Sequence, residues 1–130
     1  MNDYVVDTHA LFWYLTDFPK LGKNASLAFD EAKAGNALIH IPAIVLAELY
    51  YLNVKLGLPV DFSTHFKELE ESEQFVLTSL EPEDILSFDR DSTVSEMHDR
   101  MVVGLARRLN AACLTADQNI VASRLVKVIW

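Results

Sequence analysis

Ala37-Leu38-Ile39-His40-Ile41-Pro42-Ala43-Ile44-Val45-Leu46-Ala47-Glu48 decides the fold class. The first five residues are an almost unbroken apolar run, not an alternating one, which suits a strand covered on both faces. Pro42 closes that run. Proline lacks an amide hydrogen and is tolerated in the first turn of a helix, so the spacing predicts a helix from Ala43 to Leu56, stopped by Gly57. A buried strand feeding a helix is the repeating unit of a parallel α/β sheet.

The same unit recurs in both directions. Upstream, Tyr4-Val5-Val6 is a short strand ending at Asp7, where Asp7 or Thr8 can cap a helix through Leu15 that stops before Pro19. A helix is expected over Ala25 to Ala34, with Gly35 at its end. Downstream, an amphipathic helix fits Phe62 to Glu71, a strand Phe75 to Leu80, and a helix starts at Pro82-Glu83-Asp84. Asp89 to Glu96 reads as a polar loop. Asp99 to Asn110 follows as a helix with Arg107 and Arg108 away from its apolar side. Strands are expected at Ala112 to Thr115 and Leu125 to Trp130. Together these elements predict one three-layer α/β/α domain over residues 1–130 with a central parallel sheet.

Composition permits such a core. Hydrophobic residues form 51% of the 130, and a chain of this size buries about two-thirds of its unfolded surface. The lone Cys113 lies in an apolar run and reads as a small buried hydrophobe, which favours a reducing, cytoplasmic setting. No signal peptide is visible, and the longest apolar stretch is too short to cross a membrane. Net charge is −8, with 19 acidic against 11 basic side chains, a poor basis for binding through phosphates. Much of that charge sits in Glu68, Glu70, Glu71, Glu73, Glu81, Glu83 and Asp84, read as a solvated face.

Four acids stand where unpaired carboxylates are costly. Asp7 ends one strand, Asp117 follows another, Asp99 begins a helix, and Glu48 lies among Ile44, Val45, Leu46, Leu49, Tyr50 and Tyr51. Ligands of parallel sheets gather beyond the carboxyl ends of the strands, so Asp7 and Asp117 should share one edge. Asp7, Asp99 and Asp117 could each instead be a helix N-cap, and Glu48 a surface glutamate on a half-exposed helix. If they converge, repulsion at about 4 Å costs roughly 4 kcal/mol per pair at a dielectric near 20, which a divalent cation removes. Carboxylates without a histidine or cysteine pair suit Mg²⁺ or Mn²⁺ better than zinc, and such sites hydrolyse phosphodiesters. His9 and His98 adjoin these acids and could contact substrate.

The segments Val5-Val6-Asp7-Thr8-His9-Ala10-Leu11, Pro42-Ala43-Ile44-Val45-Leu46-Ala47-Glu48-Leu49, His98-Asp99-Arg100-Met101-Val102-Val103 and Leu114-Thr115-Ala116-Asp117-Gln118-Asn119-Ile120 resemble the PIN-domain family. The closing Val128-Ile129-Trp130 is similar to its VapC-type toxin branch. The resemblance implies a Mg²⁺- or Mn²⁺-dependent endoribonuclease, the toxin of a toxin–antitoxin pair, with Asp7, Glu48, Asp99 and Asp117 as metal-site residues. Thr8 and Thr115 match the hydroxyl positions beside them, and Asn119 stands where some members carry a further acid. Arg100, with Lys20, Lys23, Arg107 or Arg108, would have to supply any basic groove for RNA. The aromatic helices around Phe12-Trp13-Tyr14 and Tyr50-Tyr51 are candidates for core packing, a homodimer contact or an antitoxin groove. An antitoxin of this kind would insert an arginine toward the acids.

Other classes fit less well. A receiver domain would want paired acids after the first strand and a late lysine, and a haloacid-dehalogenase-type phosphatase a second aspartate where His9 stands. A catalytically inactive PIN-like RNA- or protein-binding module is the alternative.

Overall fold

The computed structural model describes all 130 residues. Five parallel strands form one sheet in the order β3-β2-β1-β4-β5: β1 (Asn2–Val6), β2 (Ala37–Pro42), β3 (Phe75–Thr78), β4 (Ala112–Leu114) and β5 (Val128–Ile129). Central strands are largely apolar because both faces are covered: Val5, Val6, Ile39, Ile41, Cys113 and Leu114 are all fully buried. Burial also pushes the Cys113 thiol up to about 12, as befits a small core residue.

Strand order makes the site. From β1 the chain steps to β2 and β3 through α1 (Thr8–Leu15), α2 (Lys23–Lys33), α3 (Ala43–Lys55) and α4 (Phe62–Glu71). It then crosses to the other half through α5 (Pro82–Leu86) and α6 (Met97–Leu109), and reaches β5 through α7 (Gln118–Ser123). Right-handed crossovers in opposite directions put the two helix sets on opposite faces. The direction reverses between β1 and β4, opening a crevice at their carboxyl ends. Asp7 and Asp117 flank it.

Most sequence-derived elements stand within two residues of expectation. Gly35 and Gly57 take positive φ after α2 and α3, and Asn110 does so after α6. The last strand is shorter than expected, two residues in place of six, and the third ends at Thr78. Two segments differ in kind. Asp89 to Glu96, expected as a loop, begins with a 3₁₀ turn (Phe88–Asp91), and its last residue caps α6. Gln118 to Ser123 forms a helix where none was expected, capped by the Asp117 side chain.

Two corrections concern charge. Asp84 is 1% exposed, not solvated: it closes a capping box with Glu81 and is paired with Arg108, Oδ1 to Nε at 2.9 Å. Asp91 is 0% exposed and held by the fork of Arg107. Both arginines are thus committed to buried carboxylates that link α6 to the preceding segment, and are not free to line an RNA groove. The third correction is to α3. Its buried face is only a strip, Val45, Leu49 and Asn53, so Tyr50, Tyr51 and Val54 are exposed and Glu48 is half-buried.

Candidate metal and nucleic-acid site

An open cleft of about 600 Å³ lies over the carboxyl ends of β1 and β4. Asp7, Glu48, Asp99 and Asp117 all line it, although they come from four separate elements. A fifth acid, Glu96, lines it too.

Each acid is placed by local chemistry. Asp7 follows β1 and caps α1, Oδ1 accepting from the Ala10 amide at 2.9 Å, while Oδ2 accepts from the Thr115 hydroxyl. Burial holds its carboxyl above the usual range, against those two hydrogen bonds. Thr115, itself fully buried, also accepts from the Asp117 amide at 3.0 Å, so one hydroxyl ties the ends of β1 and β4 together. Asp117 Oδ1 accepts from the amides of Asn119 and Ile120 at 2.9 and 3.1 Å. Glu48, on α3, takes a hydrogen bond from Thr8 at 3.2 Å. His98 Nδ1 lies 3.5 Å from both Glu48 and Glu96, bridging two carboxylates.

Asp99 differs from the rest. Glu96 caps α6 by accepting from the Asp99 amide at 3.0 Å, which aims the Asp99 side chain into the cleft, where its carboxylate accepts no hydrogen bond and meets no cation. Burial first, then Asp117, Glu96, Glu48 and Asp7, raises its carboxyl to about 6. The repulsion of the four neighbouring carboxylates thus adds to burial at Asp99.

The expected convergence is partial. No three acidic or histidine side chains stand close enough to cage an ion between them. Two of the four acids also spend an oxygen on helix capping. Asp99, Glu48 and the second oxygen of Asp117 keep open acceptor positions. An all-oxygen, partly open set fits a hard cation that retains water, as Mg²⁺ does, better than a closed zinc cage.

The remaining sequence candidates divide. Thr8, Thr115 and His9 stand in or directly behind the cleft. Arg100 turns its Nε to the Val94 carbonyl, and Asn119 is exposed, bound through its backbone to Asp117. Sequence reasoning missed Glu96, Trp13 and Trp130 as lining residues. For Glu96 the signal was present: an acid three residues before Asp99, the spacing of an N-cap. The tryptophans were noticed, Trp13 in an aromatic helix and Trp130 in the closing segment, but nothing local placed them beside the acids.

The family model described as PIN domain matches residues 4–124. No curated protein matches in sequence. Solved structures are similar in fold. VapBC2 from Rickettsia felis, bound to a DNA fragment from their promoter, has a TM-score of 0.69 at 16% identity, covering 97% of this chain and 96% of that one. Mycobacterium tuberculosis VapC20, a sarcin-ricin loop cleaving toxin, has 0.72 at 11% identity, covering 98% and 99%. FitAcB from Neisseria gonorrhoeae has 0.64 at 17% identity, covering 96% and 95%.

Proposed function

The chain belongs to the PIN-domain family, and on that premise we propose that residues 1–130 act as one metal-dependent endoribonuclease domain, the cytoplasmic toxin of a toxin–antitoxin pair. The observation that carries this reading is Asp99: a half-buried carboxylate without a partner, set among four others in an open cleft. A carboxylate crowded by four others is destabilising, and a cation in the cleft would offset that cost. Mg²⁺ or Mn²⁺ held by Asp7, Glu48, Asp99 and Asp117 would supply a water of lowered pKa and charge for the leaving oxygen of an RNA phosphodiester. The chain's own residues prepare the place. Thr115 locks Asp7 against Asp117, Thr8 orients Glu48, and His98 steadies Glu48 from the other side.

A cognate antitoxin is the proposed protein partner. VapBC2 and FitAcB, which share the fold, motivate it, and the exposed Tyr50, Tyr51, Val54, Leu56 and Leu58 offer apolar surface for it or for a homodimer.

The test is cleavage of total RNA with Mn²⁺, Mg²⁺ or EDTA, for the chain and for Asp99→Asn. Cleavage that needs metal and Asp99 supports the reading; undiminished cutting in EDTA sinks it. The absence of a ready three-acid cage favours a second reading, an inactive PIN-like RNA- or protein-binding module. RNA retention without any cutting, in the same assay, would select it.

A further inference from the structure

Aromatic rings line the same cleft as the acids. Trp13 meets Trp130 edge-to-face at 5.7 Å between ring centroids, and His9 meets Trp13 likewise at 5.6 Å. All three line the same space as Asp7 and Asp99, and His9 is exposed. Both tryptophans are half-buried: each packs against the core, and Trp13 also meets Phe18, yet both keep surface on the cleft. Trp130 is nevertheless firmly seated. A Cβ on Gly22 would stand 2.5 Å from the Trp130 carbonyl carbon and 2.6 Å from its ring, so only glycine permits this approach. That contact docks the ring at the start of α2, and Lys23 follows immediately.

Charge argues that these rings bind substrate. With a net charge of −8, five carboxylates in the cleft, and Arg107, Arg108 and Arg100 engaged elsewhere, phosphate neutralisation supplies little affinity. Base–aromatic stacking does not depend on charge, and it needs bases unpaired and splayed out.

Resting on the nuclease reading of the acids, we propose that Trp13 and Trp130, with His9 at their edge, form a stacking subsite for an unpaired nucleobase beside the scissile phosphate. The rings anchor the base and the acids receive the neighbouring phosphate. A paired base cannot enter, because its faces are already stacked within the duplex.

Both tryptophans of the chain line this cleft, so tryptophan emission, excited selectively over that of the four tyrosines, reports on it. The test uses the full chain carrying Asp99→Asn, to keep RNA intact, with three probes of equal length: random-sequence single-stranded RNA, duplex RNA and a base-free sugar–phosphate chain. Single-stranded RNA is expected to quench the emission, and the other two to leave it unchanged. Adding Trp13→Leu should weaken single-stranded RNA binding about ten-fold, leave base-free binding as it was, and be largely rescued by Trp13→Tyr. Equal quenching by the base-free chain, tighter binding of duplex, or an unchanged affinity in folded Trp13→Leu would overturn the proposal. Should Trp13→Leu fail to fold, the quenching contrast in the parent decides. Cleavage by the unsubstituted chain is scored separately. Base-dependent binding without any cutting sinks the nuclease reading and keeps the subsite. Cutting that is indifferent to Trp13 sinks the subsite alone.

Discussion

Asp99 concentrates the electrostatics of the cleft, and the sharpest predictions attach to it. Asp7→Asn, Glu48→Gln and Asp99→Asn should each lower metal-dependent RNA cleavage by on the order of 100-fold, since even outer partners of a metal ligand cost about 10–100-fold. Initial rates on total RNA with saturating Mn²⁺ check this, with circular dichroism to show the fold intact. Asp99→Asn should also raise the melting temperature of the metal-free chain near neutral pH, because it removes a charge that four neighbours repel. At this scale much was legible in the sequence. An acid at the end of an apolar strand, or within an apolar helix, is conspicuous because burial penalises its charge. Glu96 and His98 were less so, since their role is set by which side chains face them across the cleft.

Among the elements, α6 carries two buried ion pairs on the side away from the acids. Removing Asp91 leaves the partly exposed Arg107 unpaired, so Asp91→Ala should cost about 1–3 kcal/mol of unfolding free energy in urea titration. An effect below about 1 kcal/mol would show that Arg107 relaxes to solvent. On α3, the Asn53 side chain both donates to and accepts from Val60, at 2.8 and 2.9 Å, and so pins the loop entering α4. Asn53→Ala leaves two buried backbone groups unmet and should cost about 1–3 kcal/mol each at most. Periodicity and caps made the longer helices readable. The short α7 was not, because six residues carry too little apolar pattern to separate from a loop. The exposure of α3 was misjudged for the opposite reason: an apolar sequence does not say whether a second layer exists to cover it.

For the whole molecule, metal, protons and stability are linked. A carboxyl raised to about 6 binds its proton more tightly folded than unfolded. The stability it contributes is fully present below its ordinary pKa of about 3.8 and is lost as pH rises through about 6. The metal-free chain should therefore lose stability between pH 5 and 7 from this group, and saturating Mn²⁺ or Mg²⁺ should reverse the trend by binding the folded form. Melting curves with metal and with EDTA at both pH values test this; identical curves would deny a preformed cation site. RNA binding should show a shallow salt dependence, below about two in log–log slope, because few free cations face the cleft.

Alternation of buried apolar runs with amphipathic helices determined the parallel α/β architecture, since water rejects such runs wherever the chain places them. Strand ends were legible too, and with them the shared edge of Asp7 and Asp117. Tertiary structure alone decided the rest. It committed Arg107 and Arg108 to buried aspartates, left α3 half uncovered, and seated Trp130 against Gly22 and Trp13, both more than a hundred positions earlier in the chain. Those contacts join residues far apart in sequence, and their energies depend on distance and solvent access that no local pattern records.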